Sequence, residues 1–337
     1  MGPRGSLPCP SVSQLAFCTP DLPGSLRLYT EVFGFVDAGV RTFWGEWLAR
    51  VQRLGGDAAC TIGWLVGRQD MVQLEFFNHT LPPQQPLPAD WRPSDQGWSR
   101  FGITVPDFDA AVERLRAHGI EPTAPVLRDG LRRVCFLDPF THVHVEVLEE
   151  GTAMPGGVRP RFFDLAPAVV YAAVSVAELE RSRRFFVDTV GLREEDPGLL
   201  HAPEDEALWG LPGARAERFV VSGGGVFVEV SRYDEPVGRP KAPDHRLSDQ
   251  GFMNVAVGFR ERPPTDDLVA RIVADGHELN AEFPPGVAGG SYVTDAQGMS
   301  LEVLVAPREF DADFGFEPKP EAMHPPLWPM TNVPASS

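Results

Sequence analysis

The chain has 337 residues, 43% of them hydrophobic, with 30 basic against 47 acidic side chains and a formal net charge of −17. A single hydrophobic core seldom covers so long a chain, so we expect two domains. The negative charge repels nucleic-acid phosphates and anionic lipids, and no apolar stretch has the length of a membrane span, so neither nucleic acid nor a membrane is an expected partner. The four cysteines form no CxxC pair, so we expect no disulfides and a cytoplasmic protein.

An eight-residue segment occurs twice. Residues 90–97 (Asp-Trp-Arg-Pro-Ser-Asp-Gln-Gly) match residues 244–251 (Asp-His-Arg-Leu-Ser-Asp-Gln-Gly) at six positions, with an offset of 244 − 90 = 154. Glu75 and Glu229 keep this offset, and Gly34 and Gly191 match at 157. A period of this length is the size of a domain, so the chain is a tandem duplication. For the octets themselves a shared turn is the preferred interpretation over a catalytic role.

The predicted elements of the first unit begin with a strand at 13–19. Asp21 then caps a helix with apolar residues at helical spacing, and Gly34 ends it. Three further strand-like runs follow, separated by glycine-containing turns, so the first quarter of the chain reads βαβββ. These runs are residues 43–54, 60–66 and 71–77.

The same order of elements recurs three times after a proline-rich connection at 81–93. In the second unit Asp107 caps a helix that ends at Gly119, and in the third a helix ends at Gly191. Four βαβββ units are therefore predicted. The later helices and strands are expected at 101–105, 133–137, 142–148, 178–190, 219–221, 226–230, 254–259, 266–275, 291–294 and 299–305.

These units set the expected domain boundaries. We predict an N-terminal arm at 1–11, a first domain at 12–150, a linker at 151–167, a second domain at 168–306 and a proline-rich C-terminal tail at 307–337. The tail is expected to be a surface arm or a disordered segment.

The helix and strand motifs, taken together, resemble the vicinal oxygen chelate superfamily, which includes glyoxalase I, the bleomycin-resistance proteins and the extradiol ring-cleavage dioxygenases. The resemblance covers roughly residues 12 to 305. It implies an α+β fold in which the four βαβββ units form two tandem half-barrel domains, each a cup-shaped sheet made from two units. The segments that carry it are 14–22 with Ser25, Tyr29 and 33–35, then 171–179 with Arg181-Ser182, Phe185-Phe186 and 190–192, and 295–302.

In this superfamily, metal ligands project into the cup from the first and last strands of each unit. The resemblance implies one such set in each domain. In the first domain the positions hold Gln14, Glu75, Arg100 and Glu146, and in the second they hold Tyr171, Glu229, Asn254 and Glu302.

The first domain matches the glyoxalase-like ligand pattern at three of four positions. Gln14, Glu75 and Glu146 would bind a divalent metal (Fe, Mn, Zn or Ni), which would polarise vicinal substrate oxygens. Arg100 departs from the pattern, because a fixed cation repels a metal. It is expected to pair with Glu75 or Glu146 or to hold an anionic substrate group.

The second domain offers a weaker metal set, Glu229, Asn254 and Glu302, because neutral amides bind hard ions weakly. Tyr171 is also a poor ligand, since a phenol ionises only near pH 10. Tyr292 lies ten residues before Glu302, where the extradiol enzymes carry an active-site Tyr. Both histidines of those enzymes are missing, so the second domain is expected to be mainly scaffold or substrate wall.

Two local patterns have a structural interpretation beside a functional one. His142, His144 and Glu146 alternate and would share one strand face, where a metal could bind, but a polar strand face with one functional Glu is preferred. Large aromatic side chains are expected mainly in the core, with those near a cup making it receptive to aromatic ligands. These are Trp44, Trp47, Phe76, Phe77 and Trp98.

We therefore predict an enzyme that acts on a small oxygen-bearing substrate, apolar or aromatic, and resembles extradiol dioxygenases and glyoxalase-type lyases. The expected catalytic residues are Arg100, Glu146, Tyr171 and Tyr292. One alternative is a metal-free isomerase or cyclase in which Glu and Tyr side chains transfer protons. The other is a small-molecule binding protein of the bleomycin-resistance kind. A homodimer is a further expectation.

Overall fold

The computed structural model describes residues 7–155, 161, 165–295 and 299–318, which form fifteen strands and five α-helices. The first unit contains β1 (Ser11–Cys18), α1 (Leu22–Arg27), β2 (Val36–Trp44), α2 (Glu46–Val51), β3 (Ala59–Val66) and β4 (Gln73–Leu81). The second contains β5 (Gly97–Val105), α3 (Phe108–Ala117), β6 (Val126–Arg128), β7 (Leu131–Leu137) and β8 (His144–Glu149).

The third and fourth units repeat this order. The third contains β9 (Ala168–Ser175), α4 (Leu179–Arg184), β10 (Arg193–Glu195), β11 (Arg215–Gly223) and β12 (Val226–Glu235). The fourth contains β13 (Gly251–Phe259), α5 (Arg262–Ala274), β14 (Gly289–Thr294) and β15 (Ser300–Val305). In the fourth unit, a single bridge between Leu279 and Val293 stands where the other units have a further strand.

The predicted helix caps are confirmed. The Asp21 carboxylate accepts a hydrogen bond from the Gly24 amide at 2.9 Å, and Asp107 accepts one from Ala110 at 3.0 Å. A π-helical turn, Leu28–Phe33, continues α1 until Gly34 ends it at φ 83°. Only glycine enters this left-handed conformation without a steric cost, which explains the stop.

The strand predicted at 43–54 is wrong beyond Trp44. Gly45, at φ 105°, turns the chain and α2 follows. Two expected core residues on this segment are exposed instead, Trp44 at 55% and Trp47 at 49%. The strand pattern failed here because α2 buries Leu48, Ala49 and Val51, so the apolar residues belong to a short helix. Phe76, Phe77 and Trp98 are buried as predicted.

The strands form two mixed sheets that combine units from opposite halves of the chain. The first has the order β14-β15-β13-β1-β4-β3-β2 and the second β10-β11-β12-β9-β5-β8-β7-β6. The predicted fold class, two half-barrels made from four units, is confirmed. The expected pairing of consecutive units is wrong, because β1 pairs with β13 and β5 pairs with β9, both antiparallel. The boundaries 12–150 and 168–306 stay predictions.

Two connections cross between the sheets, the first strap (residues 82–96) and the second strap (residues 236–250). They lie at equivalent positions under the 154-residue offset, and their hydrogen bonds correspond. The Gln96 amide donates to the Arg239 carbonyl and the Gln250 amide donates to the Gln85 carbonyl, both at 2.9 Å; the donors differ by 250 − 96 = 154 residues and the acceptors by 239 − 85 = 154. Fifteen residues of extended chain span up to about 50 Å, so a strap easily reaches the other sheet.

The described part of the C-terminal segment, up to residue 318, is packed against the body. Asp311 is buried and accepts hydrogen bonds from Arg161 and Arg260, and Phe316 is 1% exposed. The beginning of the expected tail is therefore ordered by buried ion pairs and an aromatic anchor. The proline-rich residues 319–337 lie outside the described residues. Among the described helices, none has the length and apolar composition needed to cross a membrane.

Candidate active site

The two sheets each present one face with the predicted ligand positions, and we name these faces by the units that form them. The outer cup, from the first and fourth units, carries Gln14, Glu75, Asn254 and Glu302. The inner cup, from the second and third units, carries Arg100, Glu146, Tyr171 and Glu229. The predicted first-domain set is thus divided between two cups, because sheet pairing crosses the halves.

Strand register places the four outer-cup side chains around two alanines. Ala16 on β1 is paired with Glu75 on one side and Asn254 on the other. One step along, Gln14 is paired with Ala256, whose other neighbour is Glu302. Residues two apart on a strand share a face, and neighbouring strands lie about 4.8 Å apart, so these four polar groups converge.

Glu75 and Glu302 are the acidic pair of the outer cup. The Trp64 indole donates a hydrogen bond to Glu75 Oε1 at 2.7 Å. Burial raises the pKa of Glu75 to about 7, and the Trp64 bond opposes this. Burial also raises the pKa of Glu302 well above its usual range, and the charge of Glu75 raises it further. Two carboxyls that influence each other in this way are not both ionised near neutral pH.

Residues on β14 shape the space beside Glu302. Tyr292 is paired with Glu302 across the strands, and burial, followed by the charges of Glu302 and Glu75, raises the pKa of its phenol. Gly290 leaves room for the carboxylate, since a Cβ there would lie 2.6 Å from Glu302 Oε1. The spacing from Tyr292 to Glu302 noted in the sequence therefore brings the two side chains together.

The outer cup contains polar atoms that lack partners among the described residues. Gln14 Oε1, Glu75 Oε2 and both amide atoms of Asn254 are buried without a hydrogen bond. Such groups are costly unless a ligand, water or ion satisfies them. The apolar side chains that pack around this cup include Ala16, Cys60, Ile62, Trp64, Phe77 and Met253.

The outer-cup donors fit a hard divalent metal ion. They are amide and carboxylate oxygens, which suit Mn, Mg or Fe(II) better than thiolate-preferring metals. Within the described residues, no three His, Cys, Asp or Glu side chains converge on a metal position. A metal would therefore depend on the amides of Gln14 and Asn254 together with Glu75 and Glu302. The expected ligand Glu146 lies in the other cup.

The inner cup is filled by its own side chains. The imidazole of His201 lies between the two carboxylates at the expected ligand positions, with Nδ1 2.7 Å from Glu229 Oε2 and Nε2 3.0 Å from Glu146 Oε2. Burial opposes the charge of His201, but the two carboxylates outweigh it and raise its pKa. An imidazole whose charged form is favoured therefore stands between the groups that would hold a metal.

Arginines and tyrosines complete this network. Arg100 pairs with Glu229 and stacks over the Trp209 ring at 4.1 Å. The prediction that Arg100 pairs with Glu75 or Glu146 is wrong. β5 lies in the other sheet from Glu75, and the Arg100 guanidinium reaches across Ala173 of β9 to Glu229 on β12. Tyr171 donates a hydrogen bond to Glu146 at 2.8 Å.

The carboxylates of the inner cup are held ionised. Burial favours the neutral form, but His201 and then Arg133 hold the pKa of Glu146 below its usual range, and His201 with Arg100 does the same for Glu229. All of these side chains are buried. Tyr171 thus binds Glu146, Arg100 binds Glu229, and His201 joins the two carboxylates, so the expected site residues of this cup are engaged with one another's partners.

The histidine pattern of the second unit does not form a metal site. His142 is an exposed turn residue at φ 57°, and β8 begins only at His144. Sequence reasoning missed His201 and Trp64. His201 lies in an irregular segment without periodicity, and Trp64 reads as an ordinary core residue of β3. Only the pairing of Trp64 with Glu75 across β3 and β4 distinguishes it.

Comparisons with known proteins agree with this geometry. The model of the Glyoxalase/Bleomycin resistance protein/Dioxygenase superfamily matches residues 11–147. A 2-epi-5-epi-valiolone epimerase from Actinomyces sp. is 36% identical over 130 residues, which are 37% of this chain and 67% of that protein. The chain belongs to this superfamily.

Two solved structures of the superfamily share the fold across most of the chain. A proposed dioxygenase from Bacillus subtilis has a TM-score of 0.62 at 12% identity. The match covers 93% of this chain and 89% of the Bacillus subtilis chain. Glyoxalase I from Zea mays has a TM-score of 0.56 at 15% identity. The match covers 88% of this chain and 92% of the Zea mays chain. At these identities the likeness concerns the vicinal oxygen chelate fold alone.

Proposed function

We propose that the outer cup catalyses proton transfer at a carbon next to a carbonyl group, as an epimerase or isomerase of small hydroxylated ketones. The observation that carries this proposal is the pair of carboxyl groups, Glu75 and Glu302, that face each other over Ala16 and Ala256. The similarity to an epimerase supports it. The inner cup is proposed as scaffold, because His201 and Arg100 occupy it.

In the proposed reaction the Glu75 carboxylate accepts the proton from the substrate carbon. The electron pair of the broken C–H bond forms a C=C bond, and the carbonyl oxygen gains negative charge. The carboxylic acid of Glu302 then returns a proton to the same carbon from the other side, which inverts it. Amide hydrogens of Gln14 and Asn254 can donate to the oxygen that becomes negative.

A divalent metal held by Gln14, Asn254 and the two carboxylates would supply Lewis-acid polarisation of the carbonyl. The oxygen donors without partners support this assignment. Trp64 keeps Glu75 oriented in either case, through its 2.7 Å hydrogen bond.

Hydrogen exchange in D₂O tests the proposal. Protein treated with EDTA, and then supplied with Mn, Fe, Zn, Ni or no metal, is incubated with dihydroxyacetone and 2-hydroxycyclohexanone. Deuterium should replace hydrogen at the carbon beside the carbonyl. Glu75→Gln and Glu302→Gln should each lower the exchange rate by about 100-fold or more, since general acid–base groups contribute on that order.

Glu121→Gln is the matched control, because the Glu121 side chain is 74% exposed and its loss leaves the cup unchanged. Circular dichroism of all three variants confirms that the fold is retained. Undiminished exchange in both cup variants would contradict the acid–base assignment. Exchange that survives EDTA would favour the metal-free isomerase over the metal-dependent one.

A binding protein of the bleomycin-resistance kind is the second candidate, and the apolar lining of the outer cup favours it. Tight ligand binding without any exchange would support it. Ring cleavage is less favoured, because Gln14, Asn254 and the two carboxylates include no histidine. An aromatic substrate, a lyase activity, a homodimer and a cytoplasmic location stay predictions.

A further inference from the structure

Lysine is nearly absent from this chain. Of its 30 basic residues, 28 are arginine and two, Lys241 and Lys319, are lysine. Lys241 is therefore the only lysine within the described residues. Within the described part of the chain arginine and histidine form the ion pairs, and no carboxylate there lies within 4.0 Å of the Lys241 ammonium. Asp249 and Asp295 act on this charge from a distance, but among the described residues the ammonium forms no ion pair, which leaves its hydrogen-bond donors for a ligand.

The duplication provides an internal comparison for this position. Lys241 lies on the second strap, and its counterpart on the first strap, 154 residues earlier, is Leu87. Each side chain packs over the glycine that ends the other octet. A Cβ on Gly97 would lie 2.6 Å from Lys241 Cε, and one on Gly251 would lie 3.4 Å from Leu87 Cδ1. Since leucine satisfies the packing role in one copy, packing alone does not require a lysine in the other.

Lys241 lies at the rim of the outer cup. The second strap borders this cup, because Cys18 at the end of β1 donates a hydrogen bond to the Leu247 carbonyl at 3.2 Å. Lys241 lines a cavity of about 230 Å³ between the two straps and another of about 390 Å³ with Gln52 and Thr294. The equivalent rim bond of the inner cup runs from Ser175 to Pro93. The second strap thus borders the outer cup at Leu247, and the stem of Lys241 packs on Gly97 while its side chain lines the cavity shared with Gln52 and Thr294 of the first and fourth units.

The distance from this rim to the reacting groups sets the size of the ligand. Cys18 is paired with Phe77, two residues along β4 from Glu75. Two residues of a strand span about 7 Å. A ligand that reaches from the carboxyl pair to the rim therefore has a length of a few bonds beyond its reacting carbon.

We propose that Lys241 binds an anionic group, a carboxylate or a phosphate, on the substrate of the outer cup. This inference rests on the proposed function of that cup. The substrate class becomes a small hydroxylated ketone with an acidic group a few bonds from the carbonyl. Lys241 is a specificity-determining residue in this assignment, and the proton transfer itself is left to Glu75 and Glu302.

The scarcity of lysine makes a direct binding test possible. Reductive ¹³C-methylation of the intact protein keeps the charge and labels Lys241, Lys319 and the N-terminal amine. The signal that disappears in the Lys241→Arg variant belongs to Lys241. Titration with inorganic phosphate or with malonate should shift the Lys241 signal saturably, with sodium chloride at matched ionic strength and glycerol as blanks. A signal that does not saturate, or that moves in parallel with that of Lys319, would overturn the assignment.

Kinetics separate this inference from the proposed function. Exchange in D₂O is compared for dihydroxyacetone, its phosphate and hydroxypyruvate. Lys241→Leu should raise KM about 10- to 100-fold for the anionic probe that the wild type prefers, because one charge-assisted hydrogen bond is lost. The KM for dihydroxyacetone should stay unchanged. Lys241→Arg should restore most of the affinity.

Arg27→Leu is the control for net charge, because Arg27 is exposed on α1 and that helix packs on the opposite face of the sheet from the cup. If neutral and anionic probes exchange at equal rates, and Lys241→Leu changes neither rate, the proposed role of Lys241 is contradicted while the proposed reaction stands. Absence of exchange with every probe, together with saturable binding at Lys241, contradicts the proposed reaction but not the anion site.

Discussion

His201 is the central residue of the inner cup. Its ring occupies the space between Glu146 and Glu229, two of the positions at which the resemblance implied metal ligands. Breaking a buried ion pair by removing one partner costs about 3–5 kcal/mol, because it leaves charges buried without compensation. Loss of His201 alone is therefore expected to destabilise the fold, whereas the unsatisfied polar groups of the outer cup are assigned to a ligand by the proposed function.

Replacing His201 should reveal this contribution. His201→Ala is expected to lower the free energy of unfolding by about 3–5 kcal/mol, measured by urea denaturation at pH 6. His118→Ala is the control, since the pair of His118 with Glu31 is 3.6 Å long and partly exposed and should contribute less than about 1 kcal/mol. Equal effects of the two substitutions would contradict a central role for His201.

The contribution of His201 should also depend on pH. Its pKa in the folded protein is raised above the value of about 6.5 for an unfolded chain. The stabilisation by its charge is therefore complete below pH 6.5 and is lost as the pH rises through the higher folded pKa. The difference in unfolding free energy between wild type and His201→Gln should shrink between pH 6 and 9. A constant difference would mean that His201 is not charged.

Lys241 should titrate at an unusual pH. Burial lowers its pKa to about 8, while Cys18, Asp249 and Asp295 oppose the shift. The ¹³C-methyl signal of Lys241 is expected to titrate roughly two pH units below an unperturbed lysine, whose pKa is about 10.4. Binding of malonate, which stays ionised, should therefore weaken as the pH rises from 7 to 9. Affinity that is constant over this range would contradict charge recognition.

At the level of elements, the C-terminal segment supports the wall of the outer cup. Gly315 lies against Trp64, and a Cβ there would be 2.3 Å from Trp64 Cγ. Trp64 in turn holds Glu75. A segment that the sequence suggested to be a loose tail thus fixes the orientation of a proposed catalytic group, through backbone contact with an aromatic ring.

A matched pair of glycine substitutions tests this support. Gly315 and Gly119 have similar dihedral angles, φ 71° and 75°, but nothing lies within 4 Å of a Cβ on Gly119. Gly119→Ala should cost about 1–2 kcal/mol for the left-handed backbone. Gly315→Ala should cost about 1–3 kcal/mol more, because Trp64 must move. It should also lower the exchange rate of the outer cup. Equal stabilities would show that the segment adapts freely.

At the scale of the whole molecule, each sheet is completed by the opposite half of the chain. β1 is paired with β13 over its whole length, and β5 with β9. A separated half would expose both of these long apolar strands as unpaired edges, which favour association. The folding unit is therefore the full pair of halves.

Separate expression of the halves tests this arrangement. Residues 1–155 and 156–337, each alone, are expected to aggregate or to self-associate, whereas co-expression should give a 1:1 complex with the tryptophan emission of the intact chain. Size-exclusion chromatography with light scattering measures the result. A monomeric, cooperatively unfolding fragment 1–155 would contradict the pairing of β1 with β13.

The sequence by itself determined the local features of this protein. Asp21, Asp107 and the glycine at 34 predicted helix limits, because capping depends on residues within one turn. The matching offsets predicted the duplication, and the motif positions identified Gln14, Glu75, Asn254 and Glu302 as cup residues. The helix limits were confirmed because capping is a local property of the chain, whereas the duplication and the roles of the cup residues stay predictions.

Tertiary structure alone decided which of these residues meet. β1, β5, β9 and β13 have equivalent alternating patterns, so the sequence does not distinguish pairing within a half from pairing across halves. The straps are long enough for pairing within a half or across halves. Burial of both faces of each sheet selects the pairing across halves. The same reason applies to His201 and Lys241. Both lie on irregular segments whose position follows from the sheets that they cross, and no local pattern of residues encodes it.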